Sequence, residues 1–273
     1  MIISKTPYRI SFFGGGSDYP IWYSKNEGAV LSTTIDKYIY ISCRYLPPFF
    51  DHKYRIVWSQ IEKVKKMDQI KHKAVREMLK KFKIKSGLEI HYDGDLPARS
   101  GMGSSSVFVV GLMNALYNFK GIKIKKNDLA NKSINFEQKI LKESVGSQDQ
   151  IAAAYGGFNK ISFSKNGKFY VQKISMNKRK LVELNKNLLL VYTGLSRNAH
   201  EIAKGYISKL NTSKKSHIYE ILNFVKEGEK ILKGGETNDF GRLLHESWLA
   251  KKGLSKSITN SKIDQIYDKA IKN

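Results

Sequence analysis

The sequence holds a single cysteine, Cys43, among 273 residues, so no intrachain disulfide can staple it and its stability must come from a packed core. Cys43 falls in the alternating run YIYISCRYL and reads as a core residue, a reactive thiol being the alternative. No apolar run approaches the roughly 20 residues needed to cross a bilayer. The opening MIISKTPYRISFF lacks the basic, then apolar, then small-residue order of a secretory signal, so a cytoplasmic protein with no membrane partner is expected. The six histidines are scattered without zinc-ligand spacing, and neither internal repeats nor low-complexity linkers occur. Arginine is scarce as well, at positions 9, 44, 55, 76, 99, 179, 197 and 242, so 40 of the 48 basic residues are lysine.

That scarcity bears on the formal net charge of +24. A strongly basic chain is a standard pointer to nucleic acid, but specific base and phosphate contacts lean on guanidinium forks. Here lysines are spread over stretches such as KKFKIK and KGIKIKK, without exposed aromatics between them. A lysine-rich surface is the favoured interpretation and a nucleic-acid partner is not expected; an RNA-binding protein is the alternative from another functional class. Either way the surface attracts anionic ligands over long range.

Hydrophobic patterning puts β-structure first and helices later. TPYRISFF, GAVLSTTID, YIYISCRYL and YRIVWS read as strands, KVKKMDQIKHKAVREMLKKF as a helix, and GLEIHYDGDL as a strand again. A nearly all-round apolar helix follows at SSSVFVVGLMNAL, then an amphipathic helix over KKNDLANKSINFEQKILKE with an Asn-Asp start, and a short helix SQDQIAAAY ended by Gly156 and Gly157. GFNKISFS, KFYVQKISM and NLLLVYTG read as strands, with helices to the end. The one shift in composition, near 160 to 180, divides the chain into expected domains 1–160 and 161–273.

Three segments concentrate chemistry. DLPARSGMGSSS places a glycine- and serine-rich loop before the buried helix, where helix N–H groups and the positive end of its dipole favour an anion. It lacks the Gly-Lys-Ser/Thr of a P-loop and the third glycine of a dinucleotide fingerprint; a turn that merely packs is the alternative. Glu137 falls on the apolar stripe of Leu129, Ile134, Ile140 and Leu141, so a carboxylate faces the core and requires a cation or strong donors, a structural salt bridge being the ordinary case. Asp149 lies near the start of the next helix beside small residues. PYRISFFGGGSDYP, finally, carries Arg9 on a strand that runs into Gly14, Gly15 and Gly16, then Ser17 and Asp18.

In this order the segments resemble the GHMP kinase superfamily. Pro7, Arg9, Gly14 and Asp18 match its first motif, PARSGMGSSS its Pro-x-x-x-Gly-Leu-Gly-Ser-Ser with Met102 for leucine, and Glu137 and GSQDQ its helix glutamate and Gly-x-x-Asp-Gln. The resemblance covers about residues 1–255. It implies an α+β, two-domain GHMP kinase-like fold whose N-terminal half is like the left-handed βαβ fold of ribosomal proteins, and whose C-terminal half is α/β. A third, C-terminal glycine-rich motif of the family is not found before IDQIYDKAIKN, so the second half is expected to be incomplete.

The resemblance also implies roles. Backbone N–H groups from Gly101 through Gly103, Ser104, Ser105 and Ser106 would hold the phosphates of ATP, and Ser104 or Ser105 with Glu137 would hold Mg²⁺, Ser105 being the assigned ligand. Asp149 would accept the proton of the attacking hydroxyl, Arg9 would stabilise developing charge, and Gly15, Gly16, Ser17 and Asp18 would meet the sugar. FGGGSD, QDQIAAAYGGFN and YTGLSRNA are similar to the superfamily's kinases of heptose 7-phosphate, which act on the anomeric hydroxyl to give the 1,7-bisphosphate for nucleotide-activated heptose synthesis; fucokinase- and galactokinase-like enzymes are the alternative. The expected partner is therefore a small sugar phosphate. In LLLVYTGLSRNAHEIAKGY, Thr193 at the turn and Arg197 at the helix start, behind a Ser196 cap, would read its phosphate, an ordinary strand-turn-helix junction being the alternative.

Overall fold

A computed structural model describes residues 1–195, 203 and 205–272. The chain runs β1 (Ile2–Phe13), α1 (Pro20–Tyr23), β2 (Gly28–Tyr45), β3 (Tyr54–Val57), β4 (Ile61–Val64), α2 (Lys73–Lys81), β5 (Leu88–Gly94) and α3 (Ser104–Phe119). It continues through α4 (Lys126–Asn135), a π-helical turn (Phe136–Ile140), α5 (Gln148–Tyr155), β6 (Phe158–Phe163), β7 (Phe169–Lys173) and α6 (Lys178–Lys186), then α7 (Lys215–Gly234), α8 (Thr237–Lys252) and α9 (Ser261–Lys272). This is an α+β fold. Its residues pack as two compact units that interleave along the sequence, where composition had marked a single shift: unit 1 is 1–9, 34–143 and 149–156, and unit 2 is 10–33, 144–148 and 157–273.

In unit 1 the strands run β4-β3-β5-β2, with β1 also paired to β2. β2 and β5 are antiparallel from Ile39 opposite Gly94 to Tyr45 opposite Leu88, whereas β3 and β5 are parallel. Alternation therefore sends Ile39, Ile41, Cys43, Leu88 and Ile90 to one face, where they are buried with Val75, Met78 and Leu79 of α2 and most of α3. The helix lies close on the sheet at Gly111, where a Cβ would come within 2.8 Å of Thr6 Oγ1. Burial pushes the Cys43 thiol up to about 12, so it is an inert core residue.

Three expected boundaries shift within this unit. GAVLSTTID and YIYISCRYL form one strand, because Tyr38 continues the ladder: its N–H donates to Asp95 Oδ2 at 2.8 Å and its carbonyl accepts from Asp95 N. The helix expected from Lys63 starts only at Lys73: Lys63 and Val64 end β4, Met67–Gln69 form a single 3-10 turn, and buried Glu62 accepts from the N–H groups of Lys71 and His72, which holds them outside the α-helix. α4 ends at Asn135, and the π-helical turn places one extra residue before Leu141, whose N–H donates to Phe136 O. Phe136, Glu137 and Leu141 face inward and Ile140 is turned out, so Ile140 leaves the stripe it was expected to extend. The Asn-Asp pair does not cap α4; its N-cap is Lys125, without a side-chain bond.

In unit 2, residues Gly28–Thr33 of β2 pair antiparallel with β6, and β6 with β7. Phe13, Leu31, Ile174, Leu184, Phe224, Val225, Phe240 and Leu243 build its core, drawing on β1, β2 and the helices α6, α7 and α8. NLLLVYTG, expected as a strand, has no regular structure and pairs with no described strand; Leu189 is 87% exposed, and Leu190, Val191 and Tyr192 are exposed too. A β-branched and aromatic run becomes a strand only where another strand takes up its backbone groups.

Candidate functional site

The glycine- and serine-rich loop is built in left-handed backbone. Arg99 (φ 62°), Gly101 (φ 81°) and Gly103 (φ 77°) alternate with residues outside the left-handed region, the kind of alternation from which backbone N–H anion cradles are built. Gly103 is the N-cap of α3, where no side chain caps the first turn, so the backbone donors of Ser104, Ser105 and Ser106 lie at an uncovered helix start. The loop is tied down: Arg9 N donates to Met102 O, and Arg99 N to Ser104 Oγ at 3.2 Å.

Arg9 and Asp149, 140 positions apart in sequence, meet against this loop. The guanidinium donates Nε to Oδ1 at 2.7 Å and Nη2 to Oδ2 at 2.8 Å, a bidentate fork, while Nη1 donates to Gly101 O at 3.0 Å. One cation thus fixes both the carboxylate and the loop. Gly103 sits directly on the pair, since a Cβ there would lie 3.1 Å from Asp149 Oδ2 and 3.5 Å from Arg9 Cζ.

Glu137 is fully buried in the same unit. Its Oε2 accepts from Gln150 Nε2 at 2.5 Å and its Oε1 from Ser105 Oγ at 3.4 Å, while Gln150 Nε2 also donates to Ser106 Oγ at 3.1 Å. Burial raises the Glu137 carboxyl to about 8; the bonds from Gln150 and Ser106 pull the other way, and the charges of Glu143 and Asp149 add to the rise. Glu137 makes no ion pair among the described residues, so a structural salt bridge, the ordinary case, is not what holds it. Gln150, a buried amide in the first turn of α5, has no role assigned by sequence pattern; the signal for it is a polar residue directly before the apolar IAAA. Its Oε1 is buried without a partner.

That donor set fits Mg²⁺ only in company. No cluster of three or more ligating side chains occurs among the described residues. Mg²⁺ is commonly held by one or two carboxylates plus substrate phosphates, and Glu137 with Ser105, near the start of α3, would supply the protein's share. A carboxylate buried beside unsatisfied oxygen is where a cation would relieve the charge.

The glycine turn belongs to unit 2. Gly14 (φ 93°) and Gly16 (φ 108°) are left-handed, and Ser17 Oγ donates to Gly14 O at 2.8 Å and is buried. Asp18, 2% exposed, accepts from Gly16 N on Oδ1 and from Gln148 N on Oδ2, and its carbonyl accepts from Ser147 N. Gly146 is bare against it: a Cβ there would lie 1.9 Å from Oδ2. Asp18 therefore ties residues 144–148 to the turn before it meets any ligand. Thr193 lies in the irregular stretch after α6, and Ser196 and Arg197 lie outside the described residues.

Residues 69–157 match the GHMP kinases N terminal domain. The whole chain is 29% identical to D-glycero-alpha-D-manno-heptose 7-phosphate kinase of Campylobacter jejuni, covering 83% of that protein. It is 23% identical, over 96% of its length, to the bifunctional fucokinase/GDP-fucose pyrophosphorylase of Arabidopsis thaliana, of which it covers 27%. A crystal structure of a D-glycero-D-manno-heptose 1-phosphate kinase from Bacteriodes thetaiotaomicron has the same fold, with a TM-score of 0.77, 24% identity, and coverage of 92% of this chain and 79% of that one. The matched domain, the shared fold and the kinases among its relatives support an ATP-dependent kinase of small molecules. The chain is similar along its full length to a heptose phosphate kinase.

Proposed function

We propose that the protein transfers the γ-phosphoryl group of ATP to the anomeric hydroxyl of D-glycero-D-manno-heptose 7-phosphate, giving the 1,7-bisphosphate and ADP. The observation that carries the chemistry is the Arg9–Asp149 fork with its third bond to Gly101 O, which makes acid-base group, cation and anion cradle one assembly. The name and full-length similarity of the Campylobacter jejuni relative support the substrate.

Phosphoryl transfer asks mainly for positioning and charge neutralisation. Backbone donors from Gly101 to Ser106 hold the phosphates at the start of α3. Mg²⁺, when bound, would screen their charge, with Ser105 and Glu137 holding it from the protein side. Asp149 orients the acceptor hydroxyl and takes its proton as the new O–P bond forms and the bond to the ADP oxygen breaks. Arg9 keeps that carboxylate aimed and faces the charge that develops. By the resemblance alone, Gly15, Gly16, Ser17 and Asp18 of unit 2 would meet the sugar and Thr193 and Arg197 its phosphate, and a cytoplasmic site of action suits an ATP-fed reaction.

The test is ADP release with Mg²⁺ and ATP over a panel of acceptors: the heptose 7-phosphate, the same heptose without phosphate, L-fucose and galactose. Preference of at least tenfold in kcat/KM for the phosphorylated heptose is expected. Preference for fucose or galactose would move the protein to the fucokinase- or galactokinase-like alternative.

A further inference from the structure

We propose that unit 1 docks reversibly on an anionic lipid surface through the loop of residues 46–53, with Phe49 and Phe50 entering the lipid and the lysines around them facing its head groups. The inference stands apart from the sugar kinase assignment and uses none of its residues.

The topology gathers this surface at one end of the sheet. β2 is antiparallel to β5, β3 is parallel to β5 and β4 is antiparallel to β3, so the end of β2, the start of β3, the end of β4 and the start of β5 lie together. The loop from β2 to β3 is anchored at both ends: buried Leu46 donates its N–H to Gly87 O at 3.0 Å, and Lys53 donates its own to Val64 O at 3.0 Å. Between the anchors Pro47 and Pro48 restrict the backbone, and Phe49 and Phe50 follow. Phe49 is 89% exposed and Phe50 47%. They are the only exposed phenylalanines among the described residues, and the core of unit 1 closes without them. Single apolar residues scattered on a surface need no explanation, whereas two adjacent phenylalanines on a braced loop hold apolar area out to solvent for something to cover.

Charge decides what covers them. Lys53, Lys65, Lys66, Lys81, Lys83 and Lys85 are exposed on the segments that meet at this end, and none of them makes an ion pair among the described residues. The exposed acids nearby are engaged, Asp51 with His52 and Asp68 with Lys80. A second copy of the chain would set lysine against lysine in a two-fold contact. A protein partner would be met by arginine, which interfaces favour, more than by lysine, which they exclude; here Arg44 and Arg55 are turned onto Glu89. Lysine, a point charge on a flexible stem, suits the diffuse negative charge of lipid head groups. An apolar wedge beside a polybasic patch supplies the two signals that stable peripheral binding takes. No helix among the described residues is long and apolar enough to cross a membrane, and a surface contact requires none.

Flotation with vesicles of neutral phosphatidylcholine, and of the same lipid mixed with anionic phosphatidylglycerol, tests this. Wild type should bind the anionic vesicles at least about tenfold better than the neutral ones at low salt. Phe49→Ala combined with Phe50→Ala should keep Tm, because neither ring is in the core, and should lower the partition coefficient about 10- to 100-fold. Lys65→Gln combined with Lys85→Gln should lower it about 10- to 50-fold. The same neutralisation on α7, Lys226→Gln with Lys230→Gln, should cost no more than about threefold, because those lysines are not at the loop. Phe49→Trp should keep the binding, and its indole emission should move to shorter wavelength with anionic vesicles alone. No binding to anionic vesicles, a phenylalanine double variant that binds as wild type does, or equal losses from the α7 pair would each overturn the inference. So would dimerisation in sedimentation velocity without lipid that the phenylalanine substitutions abolish, since the loop would then belong to a contact between copies.

Discussion

Replacing Glu137 by glutamine should make the metal-free, nucleotide-free protein more stable, and increasingly so as pH rises. The carboxyl is fully buried and raised to about 8, against an ordinary glutamate value of about 4.3 in the unfolded chain. Between these values the unfolded state ionises and the folded state resists, so wild-type stability falls as pH climbs from about 4.3 to about 8 and is level beyond. Linkage puts the loss at about 1 kcal/mol at pH 5 and about 3.5 kcal/mol at pH 7. The glutamine is isosteric and does not titrate; its carbonyl can still accept from Gln150 Nε2, so the variant escapes the loss without opening a cavity. Amide exchange along α3 during urea unfolding reports unit 1 by itself, and in EDTA the stability gap between variant and wild type should widen by about 2.5 kcal/mol from pH 5 to pH 7. With Mg²⁺ and ATP the order should reverse, because only wild type offers the cation a carboxylate. A variant no more stable than wild type at pH 7, or a gap equal at the two pH values, would refute the reasoning.

Asp149→Asn should leave Mg²⁺-ATP affinity within a few-fold and lower kcat by about 100- to 10,000-fold; a kcat within threefold of wild type, measured by ADP release, would remove Asp149 from proton transfer. Gly103→Ala forces a side chain into φ 77° and 3.1 Å from Asp149 Oδ2, so kcat/KM for ATP should fall at least about tenfold. Gly146→Ala drives a methyl into the Asp18 carboxylate and should destabilise unit 2 by about 1–3 kcal/mol. In Gly146→Ala the acceptor KM should rise while the ATP KM holds, and unchanged thermal unfolding would show that the Asp18 contact can relax freely.

The strands of unit 1 and the buried helix α3 were legible because alternation and all-round apolarity report burial directly. Glu137 was legible for a related reason, as a carboxylate on an apolar stripe, and its complete burial follows. The π-helical turn was not, since an extra residue in a helix changes the phase of the stripe without any residue type announcing it, and Ile140 was misassigned to the core on that account. The non-helical stretch before Lys73 depended on Glu62 accepting from two backbone N–H groups, a tertiary bond no local pattern encodes. NLLLVYTG has strand composition but no described partner strand, and composition does not reveal whether one is supplied. Arg9 and Asp149 were each singled out from sequence, but their bidentate contact across 140 positions, and Gln150 as the bridge from Glu137 to Ser106, required the fold.

Unit 1 answers its buried carboxylates other than Glu137 with protein groups. The core is apolar, α3 lies flush on the sheet at Gly111, and the carboxylates Glu62 and Glu89 are buried with donors or arginines against them. Glu137 is the departure, held by an amide and a hydroxyl, raised in pKa by burial, and set on a π-helical turn, a distortion that recurs at functional sites. A sequence under selection for stability alone would replace it, since glutamine or methionine fills the same space without the ionisation penalty. Its neighbours point to the compensation: Ser105 on one side, the start of α3 without a side-chain cap, and Asp149 close enough for its charge to disfavour ionisation of Glu137. In the proposed reaction the repulsion between these two carboxylates would end when a divalent cation enters with its anion. The local instability would then couple metal and nucleotide, because each would make the other's site favourable.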